Sequence, residues 1–239
     1  VGSSMSNPVI VPLDVPDVDA ARRLLDTLSP SVDQFKIGKQ LFTAVGPRAV
    51  ELVHSYDKRV FLDLKFHDIP NTVQQASASA DGLGVWMLNV HVAGGSAMLR
   101  AAREGAGSRM LLIGVTVLTS LDEGLWAEIH GGGALAIPEQ VSRMAKIAEA
   151  AGLDGVVASP REIAGVRAAC GDGFRIVTPG VRPAGSDHGD QRRAMTPGEA
   201  ISAGADYLVI GRPITQADDP SDATRAILDE VGRARSQTA

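Results

Sequence analysis

The sequence predicts an α/β fold, one (β/α)8 TIM barrel spanning residues 1–239. Two observations carry this. Short apolar runs alternate regularly with helix-like segments, the pattern of a parallel sheet covered by helices. Eight such alternations fit into 239 residues, near the roughly 250 of a closed barrel, which favours closure over an open doubly wound sheet. Hydrophobic residues make up 44% of the chain, enough for a large core and too many for a disordered chain. No break in composition marks a second domain.

The elements follow in order. Residues 9–15 open with Val9-Ile10-Val11 and read as the first strand, with a helix over 17–28. Residues 34–37 form the second strand, with a helix around 47–54. The apolar Val60-Phe61-Leu62 begins a third strand over 60–65, and Pro70 starts a helix over 70–80. Strands four and five fall at 85–91 and 110–117, with helices at 96–104 and 138–151. The stretch 124–138 resists assignment because Gly131-Gly132-Gly133 interrupts any periodicity. Strands at 155–158, 175–178 and 207–210 complete the eight, with helices near 160–169, 197–203 and 222–235.

Several function classes drop out early. The net charge of −5 argues against a nucleic-acid binder, which usually carries a basic face. No apolar run approaches the ~20 residues that span a membrane, and no secretory signal pattern is seen. Residues 1–4, ahead of Met5, read as an expression scar. The lone Cys170 excludes an internal disulfide and fits a reducing cytoplasm. No Cys/His cluster has zinc-ligand spacing.

In such a barrel chemistry sits at the C-terminal ends of the strands. The residues there include Asp14, Lys36, Asp63, Lys65, His91, Thr119, Pro179 and Arg212. Asp63 and Lys65 are two apart, so on a strand they share a face. Lys36 lies in an apolar strand and needs a counter-ion, which Asp63 or Asp68 can supply. Lys36, Asp63, Lys65 and Asp68 together alternate in sign and sum to zero charge. A purely structural salt-bridge network is the bland alternative, but burying four charges is rarely a route to stability. A metal site from Asp63, His67 and Asp68 is a further alternative, opposed by Lys65, which shares a face with Asp63 and repels a cation. His67 is expected to pack behind the site. His91 either lines the fourth strand end or fills a hydrogen-bonded core role.

A second signal lies near the other end of the chain, in Thr178-Pro179-Gly180-Val181-Arg182-Pro183, then Gln191-Arg192-Arg193, then Gly211-Arg212-Pro213. Loops after strands seven and eight of such barrels often hold phosphate. Gly211 is expected to let its N–H approach an oxyanion, and Arg212 offers a bidentate guanidinium. Residues 180–193 read as a polar lid. Gln191 joins the phosphate set, while Arg192 and Arg193 read as surface arginines.

The run Asp63-x-Lys65-x-x-Asp68-Ile69-Pro70-Asn71-Thr72 resembles the signature of the orotidine 5′-monophosphate decarboxylase family. The likeness extends through Leu13-Asp14-Val15, Phe35-Lys36-Ile37-Gly38, Asn89-Val90-His91, Val117-Leu118-Thr119-Ser120, Thr178 to Pro183 and Gly211-Arg212-Pro213. Magnesium-dependent sugar-phosphate decarboxylases and aldolases share Asp-x-Lys-x-x-Asp but lack the Ile-Pro-Asn-Thr continuation. The resemblance implies decarboxylation of orotidine 5′-monophosphate to uridine 5′-monophosphate and CO2 in de novo pyrimidine synthesis, with no cofactor and no metal. It implies that Lys65 donates the proton to C6 and that Asp63 sits beside the substrate carboxylate. Asp68 and Thr72 would reach the neighbouring subunit's site, making a homodimer with shared active sites. Lys36, counted with the catalytic set, and Asp14 would bind ribose hydroxyls. Pro179 and Thr119 would bind substrate, the latter at the pyrimidine amide edge with Ser120 as rival. Gln191, Arg212 and Gly211 would bind phosphate, with Arg182 a further candidate.

Overall fold

The computed structural model describes residues 7–131, 133, 135–183 and 195–238. Gln191, Arg192, Arg193 and most of the expected lid lie outside them. Among the described residues, eight parallel strands close into a barrel in sequence order. They are β1 (Val9–Pro12), β2 (Gln34–Gly38), β3 (Arg59–Phe66), β4 (Met87–His91), β5 (Leu111–Val115), β6 (Gly155–Val157), β7 (Arg175–Pro179) and β8 (Tyr207–Val209). β8 pairs back onto β1 and closes the ring.

The helices around it are α1 (Val18–Leu28), α2 (Lys39–Val45), α3 (Arg48–His54), α4 (Pro70–Gly82), α5 (Gly95–Gly105), α6 (Glu123–His130), α7 (Ile137–Ala150), α8 (Ile163–Cys170), α9 (Pro197–Ser202), α10 (Arg212–Thr215) and α11 (Pro220–Thr238). Three of these, α2, α6 and α10, depart from the expected pattern. β2 runs directly into α2 through Gly38, with no side-chain cap to announce the start. α6 has a good cap, since Asp122 accepts from the Leu125 N–H at 2.9 Å, and it stops at Gly131 with φ 74°. Its Leu125 and Ile129 are exposed and Trp126 is its one buried residue, so no continuous apolar stripe faces the core to give a helical period.

Strand alternation divides the core into two apolar layers. Ile10, Phe61, Met87, Ile113, Val177 and Tyr207 fill the barrel. Their chain neighbours, such as Val9, Val11, Val60, Leu62 and Leu88, pack with the helices. Two residues beyond Phe61 and Met87 come Asp63 and Asn89, and Lys36 lies between the outward Phe35 and Ile37. The same alternation that fills the barrel with hydrocarbon therefore aims these three polar groups inward at its C-terminal end.

The opposite end is closed by a polar and aromatic plug. The Arg59 guanidinium lies 4.5 Å from the Trp86 ring centre and donates to Gln34 Oε1 at 2.5 Å, and Trp86 meets Tyr207 edge-on at 5.2 Å. Two equivalent clamps brace the wall. Arg103 on α5 pairs with Asp154 at 2.8 Å, and Arg167 on α8 pairs with Asp206 at 2.5 Å. Each aspartate also accepts a strand N–H, from Leu112 and Ile176 respectively, both at 2.7 Å. Each arginine further donates to carbonyls past its helix end, such as Gly107 and Gly171.

Candidate active site

The charged chain at the C-terminal end runs Asp14–Lys36–Asp63–Lys65. Lys36 Nζ lies 3.0 Å from Asp14 Oδ1 and 3.2 Å from Asp63 Oδ2, and Lys65 Nζ lies 2.5 Å from Asp63 Oδ1. Lys36 is only 8% exposed, so its ammonium depends on these two carboxylates for the solvation it has lost. Burial pushes the Asp63 carboxyl upward, but the Lys36 and Lys65 charges, with hydrogen bonds from Lys65 and Asn89, outweigh it and hold the group below its ordinary value. The fourth member expected here was Asp68. Asp14 takes that place instead, and the sum of charges is still zero.

Asp68 is exposed just before α4 and forms no ion pair with the described residues. Its Oδ1 accepts from the next residue's N–H, that of Ile69, at 2.7 Å. Thr72 is exposed on the first turn of the same helix, and Ile69 between them is 67% exposed. The Pro70 ring holds Ile69 in extended backbone (φ −60°, ψ 151°), and α4 starts directly after it. This segment therefore presents its side chains to the outside rather than to the charged chain of its own protomer.

Asp63 and Lys65 meet by a route that simple alternation does not describe. Between the pairs Leu62↔Leu88 and Phe66↔Val90, β3 carries three residues where β4 carries only Asn89. The surplus is absorbed in a bulge, and Lys65 adopts φ 54°, a left-handed conformation uncommon for a side-chain-bearing residue. Asn89, only 1% exposed, fills the gap. Its Oδ1 accepts from the Lys65 backbone N–H at 2.8 Å and its Nδ2 donates to Asp63 Oδ1 at 2.6 Å. No role attached to Asn89 in the sequence. The available signal was an Asn at an inward position of a strand otherwise made of Met, Leu and Val.

His67 is exposed rather than packed behind the site, because the strand ends at Phe66 and the chain turns outward. Its ring lies 5.3 Å from that of His91, at the end of β4. Burial first, then the neighbouring His67, Lys39 and Lys65 charges, push His91 down to about 4 despite the opposing Asp63. Among the described residues no three His, Cys, Asp or Glu side chains converge to hold a metal ion, so the set Asp63, His67 and Asp68 does not assemble.

Above this chain lies a cavity of about 180 Å³. Lys36, Asp63, Lys65 and Asn89 give it a polar floor, while Val115, Val157 and Val177 are among its apolar walls. Thr119 and Pro179 line it too. A wider depression of about 420 Å³ shares Thr119 and Pro179 and extends past Ser120 and Arg161. Thr119 thus borders both spaces, whereas Ser120 borders only the outer one.

Arg182, Gly211 and Arg212 lie just past β7 and β8. The Arg182 N–H donates to the Met195 carbonyl at 3.1 Å, and its buried Nε has no hydrogen-bond partner among the described residues. Arg212 is exposed at the start of α10. Gly211 has φ −98°, outside the left-handed region. A Cβ there would stand 3.0 Å from Pro12 Cγ, so glycine is suited to the close approach of the β8 end to β1.

The described geometry brings together Asp14, Lys36, Asp63, Lys65, Thr119 and Pro179, and leaves Asp68 and Thr72 exposed outside that set. The model of the family "Orotidine 5′-phosphate decarboxylase / HUMPS" matches residues 7–227. Orotidine 5′-phosphate decarboxylase of Moorella thermoacetica is 59% identical over 232 residues, covering 93% of this chain and 91% of that protein. The protein of the same name from Pasteurella multocida is 50% identical over 228 residues, covering 93% and 97%. The crystal structure of orotidine 5′-phosphate decarboxylase from Lactobacillus acidophilus superposes with a TM-score of 0.83 at 35% identity, covering 95% of this chain and 99% of that one. The chain belongs to the orotidine 5′-phosphate decarboxylase / HUMPS family.

Proposed function

We propose that this chain decarboxylates orotidine 5′-monophosphate to uridine 5′-monophosphate and CO2, using its own side chains alone, as a step of pyrimidine synthesis. The observation that carries the reading is the Lys65 ammonium, 2.5 Å from Asp63, on the floor of a cavity with apolar walls. Loss of CO2 from C6 leaves an electron pair in the ring plane, out of reach of the ring π system. Only a fixed positive charge at that carbon can stabilise it, and a low-dielectric pocket strengthens the effect. Lys65 is that charge, and it then gives a proton to C6. Asp63, held ionised by two lysines, repels the substrate carboxylate, and the repulsion ends when neutral CO2 departs into the apolar walls.

Lys36 and Asp14 hold ribose hydroxyls at the other end of the charged chain. Thr119, rather than Ser120, meets the pyrimidine amide edge, which its place on the inner cavity supports. Arg212, Arg182, the Gly211 N–H and Gln191 hold the phosphate, whose binding energy is drawn on in the transition state. The exposed Asp68, Ile69 and Thr72 support a homodimer in which Asp68 and Thr72 of each chain complete the partner's site. A cytoplasmic location accords with the lone cysteine.

The family's other branch, acting on sugar phosphates, is the competing reading. The Ile69-Pro70-Asn71-Thr72 continuation and the names of the relatives at 50–59% identity favour the nucleotide. The deciding experiment incubates the protein with orotidine 5′-monophosphate after exhaustive EDTA treatment and follows the ultraviolet spectrum. Conversion to the uridine nucleotide spectrum is expected. No conversion until magnesium is restored would remove the metal-free mechanism.

A further inference from the structure

Asn89 sits where β3 and β4 lose register, and its carboxamide is the only bridge across the gap that the described contacts provide. Its orientation is fixed by chemistry. The Lys65 backbone N–H is a donor only, so it must meet Oδ1, which leaves Nδ2 to face the Asp63 carboxylate. Few side chains could do both. A leucine of similar size leaves the Lys65 N–H unpaired and one Asp63 lone pair unanswered. An aspartate keeps the acceptor but sets a second carboxylate against Asp63. A serine is too short to span both contacts.

The two bonds act on different parts of the same pair. One holds the backbone of Lys65 at φ 54°, from which its side chain returns to Asp63. The other fixes the rotation of the Asp63 carboxylate, so that Oδ1 faces Lys65 while Oδ2 faces Lys36. Without them Lys65 is free to relax toward regular strand geometry, and the ammonium leaves its position over the cavity floor.

We propose that Asn89 is a positioning residue of the decarboxylation, acting through Asp63 and Lys65 to hold the ammonium and carboxylate at one fixed separation before substrate arrives. The proposal rests on the decarboxylase reading above. Because the pair acts on the reacting carbon, displacement is felt in turnover more than in nucleotide binding, which the phosphate and ribose contacts dominate.

The test uses Asn89→Ala and Asn89→Asp in the full chain, with uridine 5′-monophosphate binding as a check on folding. Two quantities are read: steady-state kinetics on orotidine 5′-monophosphate, and hydrogen exchange of the Lys65 amide by NMR. For Asn89→Ala, kcat is expected to fall about 100-fold with KM within about 3-fold of the parent, and the Lys65 amide to exchange faster. For Asn89→Asp, the amide stays protected while kcat still falls, which separates the two bonds. Overturning results are a kcat within about 3-fold of the parent in both variants, or a Lys65 amide indifferent to Asn89→Ala. A parent chain with no turnover defeats the decarboxylase reading, and the exchange measurement then decides by itself whether Asn89 holds the bulge.

Discussion

The Lys36 ammonium lies 3.2 Å from Oδ2 of Asp63, while the other oxygen of that carboxylate meets Lys65. Asp63, with most of its own side chain shielded from water, is thus the shared counter-ion of two lysines. Removing it leaves Lys36 with Asp14 alone and Lys65 with none of its present charge partners. Asp63→Ala is therefore expected to destabilise the fold by about 3 kcal/mol, the scale of breaking a buried pair from one side. Adding Lys65→Ala should return part of that loss. Urea unfolding of the single and double variants checks this, and strict additivity would show that the pair carries no coupling.

Lys65→Ala is expected to reduce decarboxylation to near background while uridine 5′-monophosphate still binds. The ammonium is assigned both the stabilisation of the C6 electron pair and the proton transfer, and among the described residues the other cation lining the inner cavity is Lys36, which is engaged with Asp14 and Asp63. Retention of parent turnover by Lys65→Ala would remove the proton-donor role. Titration with the product nucleotide separates a lost reaction from a lost site.

The barrel was legible because its determinants are local and repetitive. β-branched and apolar runs such as Val9-Ile10-Val11 and Val60-Phe61-Leu62 name a strand without reference to anything distant. The charged pair on β3 was legible because Asp63 and Lys65 stand where hydrocarbon would normally be. What escaped depends on geometry between segments. The bulge that makes Lys65 left-handed arises from a mismatch between β3 and β4, and neither strand alone shows it. Asn89 matters for the same reason, and Asp14 rather than Asp68 joins the charged chain because residues 67–72, past the end of β3, are exposed. α6 escaped because Leu125 and Ile129 are exposed and Trp126 alone is buried, too little to impose a period.

His91 gives the fold an acid sensitivity with a definite window. Its imidazole is held neutral, with its titration pushed from 6.5 down to about 4 by burial and the nearby His67, Lys39 and Lys65 charges. The unfolded chain therefore takes up a proton that the folded chain refuses. This contribution to stability is complete above pH 6.5 and is lost as pH falls toward 4. Between pH 7 and pH 5 it amounts to about 1–2 kcal/mol, allowing for solvent screening of a half-buried ring. Urea midpoints at the two pH values should differ by less in His91→Gln than in the parent. An unchanged difference would show that other groups set the acid limb.

Subunit mixing tests whether Asp68 acts across an interface. Asp68 makes no ion pair with the described residues of its own protomer, and the neighbouring Ile69 leaves an apolar surface uncovered. If each Asp68 completes the partner's site, chains carrying Lys65→Ala and Asp68→Ala are each inactive as homodimers. A hybrid dimer joins the intact Lys65 of one chain to the intact Asp68 of the other and restores one of its two sites. With equal amounts and free exchange, half of the dimers are hybrids, so activity should recover to about a quarter of the parent value. Exchange is verified with differently tagged chains. No recovery among verified hybrids would confine Asp68 to its own subunit, and a substantially active Asp68→Ala homodimer would remove it from the catalytic set.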